Sequence, residues 1–191
     1  TWPEQTKKLR DTLGIEHPII QAQMAGGPTT PELVAAVSNA GGLGSYPGGY
    51  LPPGEIDSAI RQIRALTDKP FAVNLFVPEK TPRRKTPARV MKKLGEIAGE
   101  VGADLPGEIA AEGFSFEEQL GVILDNNVPV FSFTFGIPKR KHMKEMRRRK
   151  VAVIGTATCT AEGVMLEEAG CGAVVTQGSE AGGHRGSFAR A

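Results

Sequence analysis

The sequence predicts an α/β fold built on a parallel sheet. Short apolar runs typical of buried strands alternate with segments whose apolar residues recur at helical spacing. Proline and glycine separate these segments, with 14 Pro and 24 Gly in 191 residues. Six predicted strands and five intervening helical segments favour a (β/α) barrel, although periodicity alone does not separate a barrel from a doubly wound sheet.

The first three strands and their helices follow one another in order. The first strand is predicted at residues 18–24. Thr30 is a candidate N-cap, Pro31 suits the first helical turn, and Gly41 suits the position after the helix. The second and third strands are predicted at 42–46 and 71–76. Between them lies a helix whose apolar face comprises Ile56, Ile60, Ile63 and Leu66.

Residues 78–114 interrupt this alternation with a Pro-rich, basic segment in which a helix is predicted near 88–97. We interpret 78–114 as an excursion from the scaffold, because it is too short to bury a core of its own. Ser115 and Glu118 have the capping-box spacing that begins the next helix. The remaining strands are predicted at 128–133, 151–154 and 172–177, with helices at 138–149 and 160–170.

The composition excludes several other classes of protein. An apolar content of 40% is too high for a disordered chain, and two cysteines are too few for a disulfide scaffold. The 23 Lys and Arg nearly balance the 21 Asp and Glu, which gives no reason to expect nucleic acid. No apolar run approaches the roughly 20 residues of a membrane span, and residues 1–10 lack a signal-peptide core. We therefore expect no membrane partner and a cytoplasmic location.

The candidates for function are the residues that follow the strands, because ligands of parallel α/β folds lie beyond the carboxyl ends of the strands. These positions hold amides, hydroxyls, backbone N–H groups and one imidazole, which suits an organic cofactor better than a metal. The imidazole is His184, which in its neutral form can accept a proton. The alternative is a structural histidine, but the small residues around His184 let a ligand approach the backbone. His17 precedes the first strand and His142 lies in a basic helix expected to be exposed.

Two polar side chains and two glycine pairs complete the candidates. Asn74 and Gln177 lie in or directly after apolar strands, so each needs a hydrogen-bond partner. The sequence leaves two possibilities open for that partner, a neighbouring backbone group and a cofactor ring. The pairs Gly26-Gly27 and Gly182-Gly183 can cradle a phosphate, but neither matches a Walker loop or a dinucleotide fingerprint, and each is also a turn signal.

Four motifs occur in the order and spacing of a known family. They are GIEHPIIQAQMAGG at 14–27 followed by AVSNAGGLG at 36–44, SFTFG at 132–136, VIGTAT at 153–158, and QGSEAGGHRG at 177–186. Through them the chain resembles the nitronate monooxygenase family, formerly called 2-nitropropane dioxygenase. The resemblance covers essentially the whole chain, and QGSEAGGHRG is its most specific part.

The resemblance implies a TIM barrel that holds non-covalent FMN at the carboxyl ends of its strands, with His184 as the catalytic base. Gln23 and Met24 correspond to the backbone segment beside the isoalloxazine ring. Gln23 departs from the family, which usually has proline there, and this frees a backbone N–H and loosens φ. The implied cofactor-binding residues are Gln23, Met24, Asn74, Gln177, Gly182 and Gly183, and no metal ligand is implied.

The activity implied by the resemblance is oxidative denitrification of alkyl nitronates and nitroalkanes. His184 accepts the α-proton of a neutral nitroalkane or holds the anionic nitronate, FMN passes electrons to dioxygen, and a carbonyl compound and nitrite are formed. Two alternatives stay open. One is an FMN-dependent enoyl-acyl-carrier-protein reductase, which shares the EAGGH loop, and the other is a truncated, non-catalytic chain that binds a partner.

The length adds an expectation about completeness. A (β/α)₈ barrel typically takes roughly 250 residues, whereas this chain has 191 residues and six predicted strands. We therefore interpret residues 1–191 as a C-terminally incomplete flavin-binding barrel domain whose last two βα units are missing or on a second chain. Open strand edges favour association with that chain or into a homo-oligomer.

Overall fold

A computed structural model describes residues 2–78, 86–104 and 114–189. The chain divides into two compact units, residues 1–79 together with 114–191, and residues 80–113. A 3₁₀ turn at Glu4–Thr6 precedes seven helices in the described residues. They are α1 (Lys7–Leu13), α2 (Pro31–Asn39), α3 (Pro53–Leu66), α4 (Ala88–Val101), α5 (Phe116–Asp125), α6 (Arg140–Arg148) and α7 (Thr160–Ala169), of which α4 belongs to the second unit.

The first unit is built on a five-stranded sheet whose strands are neighbours in chain order. Every neighbouring pair is parallel. The strands are β1 (Gly44–Pro47), β2 (Phe71–Phe76), β3 (Val130–Thr134), β4 (Ala152–Ala157) and β5 (Ala173–Thr176). Sequential parallel strands with helices between them are the arrangement of a (β/α)₈ barrel, of which five strands form a part. The predicted α/β fold class is confirmed.

The predicted first strand is reduced to a single bridge. Ile20 pairs with Leu43, whose N–H donates to the Ile19 carbonyl (2.9 Å) and whose carbonyl accepts from Gln21 N–H (2.9 Å). Pro18 has no backbone N–H that can extend this pairing. Among the described residues, no further strand pairs with the other side of this segment. The sheet therefore has five strands where the sequence predicts six.

The helix signals are confirmed at the predicted caps. The Thr30 side chain accepts a hydrogen bond from Leu33 N–H at the start of α2 (3.3 Å), and Ser115 accepts one from Glu118 N–H at the start of α5 (3.3 Å). Helix α1 is absent from the prediction, because apolar periodicity is weak in so short and charged a segment. None of the helices in the described part of the chain is long and apolar enough to cross a membrane.

The two faces of the sheet have different neighbours, because alternate residues of a strand face opposite sides. One face forms the main core with the helices α2, α3, α5, α6 and α7. Its buried residues include Val73, Leu75, Phe131, Phe133 and Val153 from the strands, and Ile60, Ile63, Leu120, Ile123, Met146 and Leu166 from the helices.

On the opposite face, the hydrophobic packing of the described residues lies near the amino ends of the strands. There Leu13 and Ile15, at and after the end of α1, pack with inward-facing residues of the sheet, namely Leu43, Ala72, Val130 and Ile154. Toward the carboxyl ends the same face carries polar side chains, namely Ser45, Asn74, Ser132 and Thr156. The fold thus closes one end of this face and leaves the other open for a ligand.

Candidate functional site

A cleft of about 1000 Å³ opens on this face of the sheet. It is lined by residues from all five strands, from the segment around residues 20–26, and from residues 177–186, which we call the glycine loop. The volume lies at the upper end of the range for small-molecule and cofactor pockets. All seven predicted site residues line this cleft, namely Gln23, Met24, Asn74, Gln177, Gly182, Gly183 and His184.

The amide of Gln177 holds the glycine loop on both sides of His184. Its Nε2 donates to the His184 carbonyl (2.9 Å), and its Oε1 accepts from Gly186 N–H (2.8 Å). Gly186 is buried, and a Cβ there would lie 2.8 Å from the Thr134 methyl. The sequence leaves open whether the Gln177 amide bonds a backbone group or a cofactor ring, and in the structure it bonds backbone groups.

Arg185 ties the glycine loop to the ends of β4 and β5. Its guanidinium donates to the carbonyl oxygens of Thr158 (3.1 Å), Gln177 (3.2 Å) and Gly178 (3.0 Å). A planar guanidinium with several donors suits such multiple bonds better than an ammonium group does. Arg185 and Gln177 together hold the backbone around His184.

Gly182 and Gly183 form an open stretch of backbone at the cleft. A Cβ added to either glycine would meet nothing within 4 Å. Gly183 also has φ +81°, a conformation that L-residues with side chains rarely adopt. A ligand can therefore approach this backbone closely.

The His184 imidazole is exposed and packs edge-on against the Phe135 ring, with centroids 6.4 Å apart at 89°. Phe135 has φ 70°, which is strained for a bulky side chain. Its ring also contacts Phe76 (5.1 Å), and Phe76 contacts Tyr50 (4.9 Å). Tyr50, Phe76 and Phe135 form an aromatic wall of the cleft that ends at His184.

Asn74 is buried, with 2% of its surface exposed, and its Nδ2 donates to Ser132 Oγ (3.0 Å). The strand register sets these two residues side by side on β2 and β3. The partner of the Asn74 amide nitrogen is therefore a hydroxyl on the next strand. Ser132 itself is 8% exposed and lines the cleft.

The segment before α2 is held at the cleft by polar bonds. Ser45 N–H donates to Gln21 Oε1 (3.2 Å), and Ser45 Oγ donates to Gln23 Oε1 (3.3 Å). The Met24 N–H donates to the buried Thr29 hydroxyl (2.9 Å). These bonds fix Gln23 and Met24 beside β1.

The other two histidines lie outside the cleft lining. His17 Nδ1 accepts a hydrogen bond from Trp2 Nε1 (2.9 Å). His142 was expected on an exposed surface, but its side chain is only 12% exposed, because it packs edge-on against Phe116. Burial, with a contribution from Lys141, lowers the pKa of His142, although Glu117 at 3.7 Å opposes this.

Comparison with known proteins agrees with the motifs. The family described as Nitronate monooxygenase (NMO) matches residues 6–191. The chain belongs to the nitronate monooxygenase family. Family membership confirms the resemblance and identifies the chain as belonging to a family of oxidoreductases.

Curated relatives and solved structures agree with this family. The chain is 42% identical over 184 residues to a probable nitronate monooxygenase of Staphylococcus saprophyticus, and the match covers 95% of the chain and 51% of that protein. The structure of a nitroalkane oxidase from Streptomyces ansochromogenes matches with a TM-score of 0.85 and 37% sequence identity. The match covers 97% of this chain and 52% of the nitroalkane oxidase chain. The structure of FabK from Thermotoga maritima matches with a TM-score of 0.71 and 30% sequence identity, and the match covers 98% of this chain and 48% of the FabK chain. The chain spans about half the length of the curated relatives it matches.

Four residues in and around the cleft are absent from the predicted set. Ser132 and Phe135 line it, Arg185 belongs to the glycine loop, and the Glu162 carboxylate accepts the N–H groups of residues 188 and 189, just after that loop. Ser132 has a detectable signal, since a polar residue in the apolar strand β3 needs a partner as Asn74 does. The roles of Phe135 and Arg185 depend on ring contacts and carbonyl positions that the sequence does not contain. The sequence carries no signal for the role of Glu162, because acidic residues are common in the first turn of a helix.

Proposed function

We propose that this protein carries out FMN-dependent oxidative denitrification of alkyl nitronates and nitroalkanes with dioxygen, releasing a carbonyl compound and nitrite. The observation that carries the proposal is the convergence of His184, three side-chain amides and the open Gly182-Gly183 backbone on one cleft. An imidazole beside an aromatic wall is suited to take a proton from a small organic acid. The family of the chain supports the same chemistry.

The cleft fits a flavin by size and by its donors. Its volume of about 1000 Å³ accommodates a ring system with a phosphate-bearing chain, and its lining combines aromatic rings with amides and hydroxyls. No group of three or more His, Cys, Asp or Glu that could hold a metal ion occurs among residues 2–78, 86–104 and 114–189. We propose that Gln23, Met24, Asn74, Gln177, Gly182 and Gly183 hold the FMN.

In the proposed mechanism the chain binds, orients and moves a proton. A neutral His184 accepts the α-proton of a nitroalkane, and the resulting imidazolium stabilises the nitronate by its charge. The Gln177 amide and the Arg185 guanidinium keep the His184 backbone in place, and the Phe135 ring limits the orientations of the imidazole. Bound FMN would supply the electron transfer between nitronate and dioxygen.

The proposal is tested by flavin content and by product analysis. We expect the protein to bind FMN at a ratio near one and, with nitronate and air, to form nitrite and carbonyl product in equal amounts. Because the relatives are about twice as long, the assay compares this chain alone with the chain supplemented by the second half of a relative. Rapid flavin reduction by NADH or NADPH without nitrite formation would instead indicate an enoyl reductase. Lack of flavin binding in both samples would indicate a non-catalytic chain.

Replacement of Asn74 separates a cofactor role from a structural one. Asn74→Leu removes the amide from the cleft and also the bond to Ser132, whereas Ser132→Ala removes only that bond. If the amide contacts FMN, the dissociation constant should rise about tenfold in Asn74→Leu and about twofold or less in Ser132→Ala. The measurement is a fluorescence titration with FMN. Equal dissociation constants in the two variants would exclude the flavin contact.

A further inference from the structure

Glu162 is a buried carboxylate that the proposed chemistry does not use. It is 0% exposed, and of the charged side chains that the structure describes it is the only buried one. It lies at the third position of α7, in the first turn of that helix. A buried charge requires strong partners, so its hydrogen bonds indicate what it does.

Both carboxylate oxygens of Glu162 accept hydrogen bonds, and together they join two separate parts of the chain. Oε2 accepts from Thr158 N–H (2.6 Å) and the Thr158 hydroxyl (2.8 Å). Oε1 accepts from Phe188 N–H (2.6 Å) and Ala189 N–H (2.9 Å). Burial raises the pKa of Glu162, but the N–H groups of Phe188, Thr158 and Ala189 and the Thr158 hydroxyl outweigh it and lower the pKa to about 2. Glu162 is therefore ionised at neutral pH.

The bonded residues 188 and 189 follow the glycine loop directly, and we call residues 187–189 its rear stem. From residue 182 to residue 189 the chain makes no backbone-to-backbone hydrogen bond to another described residue. The front of the loop is held by Gln177 and Arg185, whereas the rear stem is held by Glu162 and by a hydroxyl contact between Ser187 and Thr158 (2.9 Å). Since no regular structure fixes this segment, its position depends on these side chains.

We propose that Glu162 is a positioning residue that fixes the rear stem of the glycine loop and thereby holds the His184 imidazole at the cleft. Its part in catalysis rests on the proposed function, whereas its hold on the loop does not. Glu162 acts by accepting backbone N–H groups and does not itself contact a substrate. An amide in its place offers only one acceptor atom, so one pair of donors loses its partner.

Glu118→Gln is a matched control for Glu162→Gln. Glu118 occupies the same third position in α5, and it is exposed. Both substitutions remove one charge from the third position of a helix, where a carboxylate interacts favourably with the helix dipole. Only Glu162→Gln also disrupts a bonded cluster, the one that joins Thr158 to the rear stem.

Hydrogen–deuterium exchange of the whole chain tests the positioning role. In Glu162→Gln we expect the hydrogen-bonded amides of residues 182–189, those of Gly186, Phe188 and Ala189, to exchange about ten- to a hundredfold faster, with β2 and β3 unchanged. Glu118→Gln should exchange like the wild type throughout. Unchanged exchange in 178–189, or an equal increase in β2 and β3, would overturn the proposal. If Glu162→Gln does not fold, Ser187→Ala weakens the same stem at an exposed site, and its increase should be confined to 178–189.

The histidine ring signals give a second, local measurement. The chain has three histidines, so the His184 ring proton can be assigned by substitution. In Glu162→Gln the His184 signal should move toward the value of a free histidine, while His17 and His142 keep theirs. An unchanged His184 signal in Glu162→Gln would contradict the positioning role of Glu162. Loop exchange and this signal are measured without substrate, so an absence of nitronate oxidation in the wild type would overturn the proposed function and leave this inference standing.

The pH dependence of stability gives a further prediction. The folded pKa of Glu162 is about 2 against an ordinary 4.5, so its stabilisation is complete above pH 4.5 and is lost as the pH falls from 4.5 through 2. The stability gap between wild type and Glu162→Gln should therefore be constant near neutral pH and shrink below pH 4.5. Arg185 is the charged side chain that bonds the Thr158 carbonyl beside this carboxylate. Urea unfolding at several pH values measures the gap, and a constant gap down to pH 3 would contradict the prediction.

Discussion

Turnover of neutral nitroalkanes should fall about 100- to 10,000-fold in His184→Asn, the range associated with loss of a general base. Turnover of preformed nitronates should fall far less, because the α-proton has already been removed. Asparagine keeps a polar side chain of similar reach, so FMN binding should be retained. Steady-state rates on a nitroalkane and on its nitronate, measured on the same preparation, give the ratio that tests the base role.

His17→Asn is the control for this substitution. His17 lies outside the cleft lining and bonds Trp2, so its replacement should leave both rates unchanged. Equal losses on nitroalkane and nitronate in His184→Asn would exclude His184 as the base and indicate a general loss of binding. A loss of FMN binding in the same variant would assign His184 to the cofactor site instead.

Gly44→Ala should be the most damaging of the conservative glycine substitutions. Gly44 begins β1 where α2 crosses it, and a Cβ there would overlap the backbone of Val34, with its Cα only 2.7 Å away. Backbone atoms of a packed helix cannot move aside as a flexible side chain can, so α2 must shift. We expect a loss of about 3 kcal/mol in the free energy of unfolding, or about 6–12 °C in Tm.

Gly121→Ala provides the matched comparison for Gly44→Ala. Gly121 lies within α5, and a Cβ at this position meets nothing within 4 Å. Alanine has the higher helix propensity, so Gly121→Ala should stabilise the protein by about 0.5–1 kcal/mol. Thermal unfolding of both variants measures the two effects. A Gly44→Ala protein as stable as wild type would show that β1 and α2 lie farther apart.

Local patterns in the sequence were sufficient to predict most of the elements. Apolar runs predicted β2, β3, β4 and β5, because strands of a parallel sheet pack against helices and are rich in apolar residues. Thr30 and Ser115 predicted helix starts because a cap acts within three residues of itself. The prediction of a strand at 18–24 was wrong, because only Ile20 pairs with a neighbour there and Pro18 has no N–H with which to extend the pairing.

The location of the cleft was likewise predictable from strand order. Residues after parallel strands share one end of the sheet, so Asn74, Gln177 and His184 meet although about 100 residues separate the first from the other two. Their bonding partners were not predictable. Asn74 bonds Ser132 because the register of β2 and β3 sets them side by side, and no local pattern encodes that register.

The sequence by itself determined the family and the parallel α/β class, and it predicted seven of the residues that line the cleft. These depend on motif identity and on patterns that repeat within a few residues. Only the tertiary structure decided that the glycine loop is held by Gln177, Arg185 and Glu162. Glu162 looks like an ordinary first-turn acid until folding buries it and brings Phe188 and Ala189 to its carboxylate from more than 25 residues away. Contacts of that kind are made by chain segments that meet in space, so local sequence patterns do not contain them.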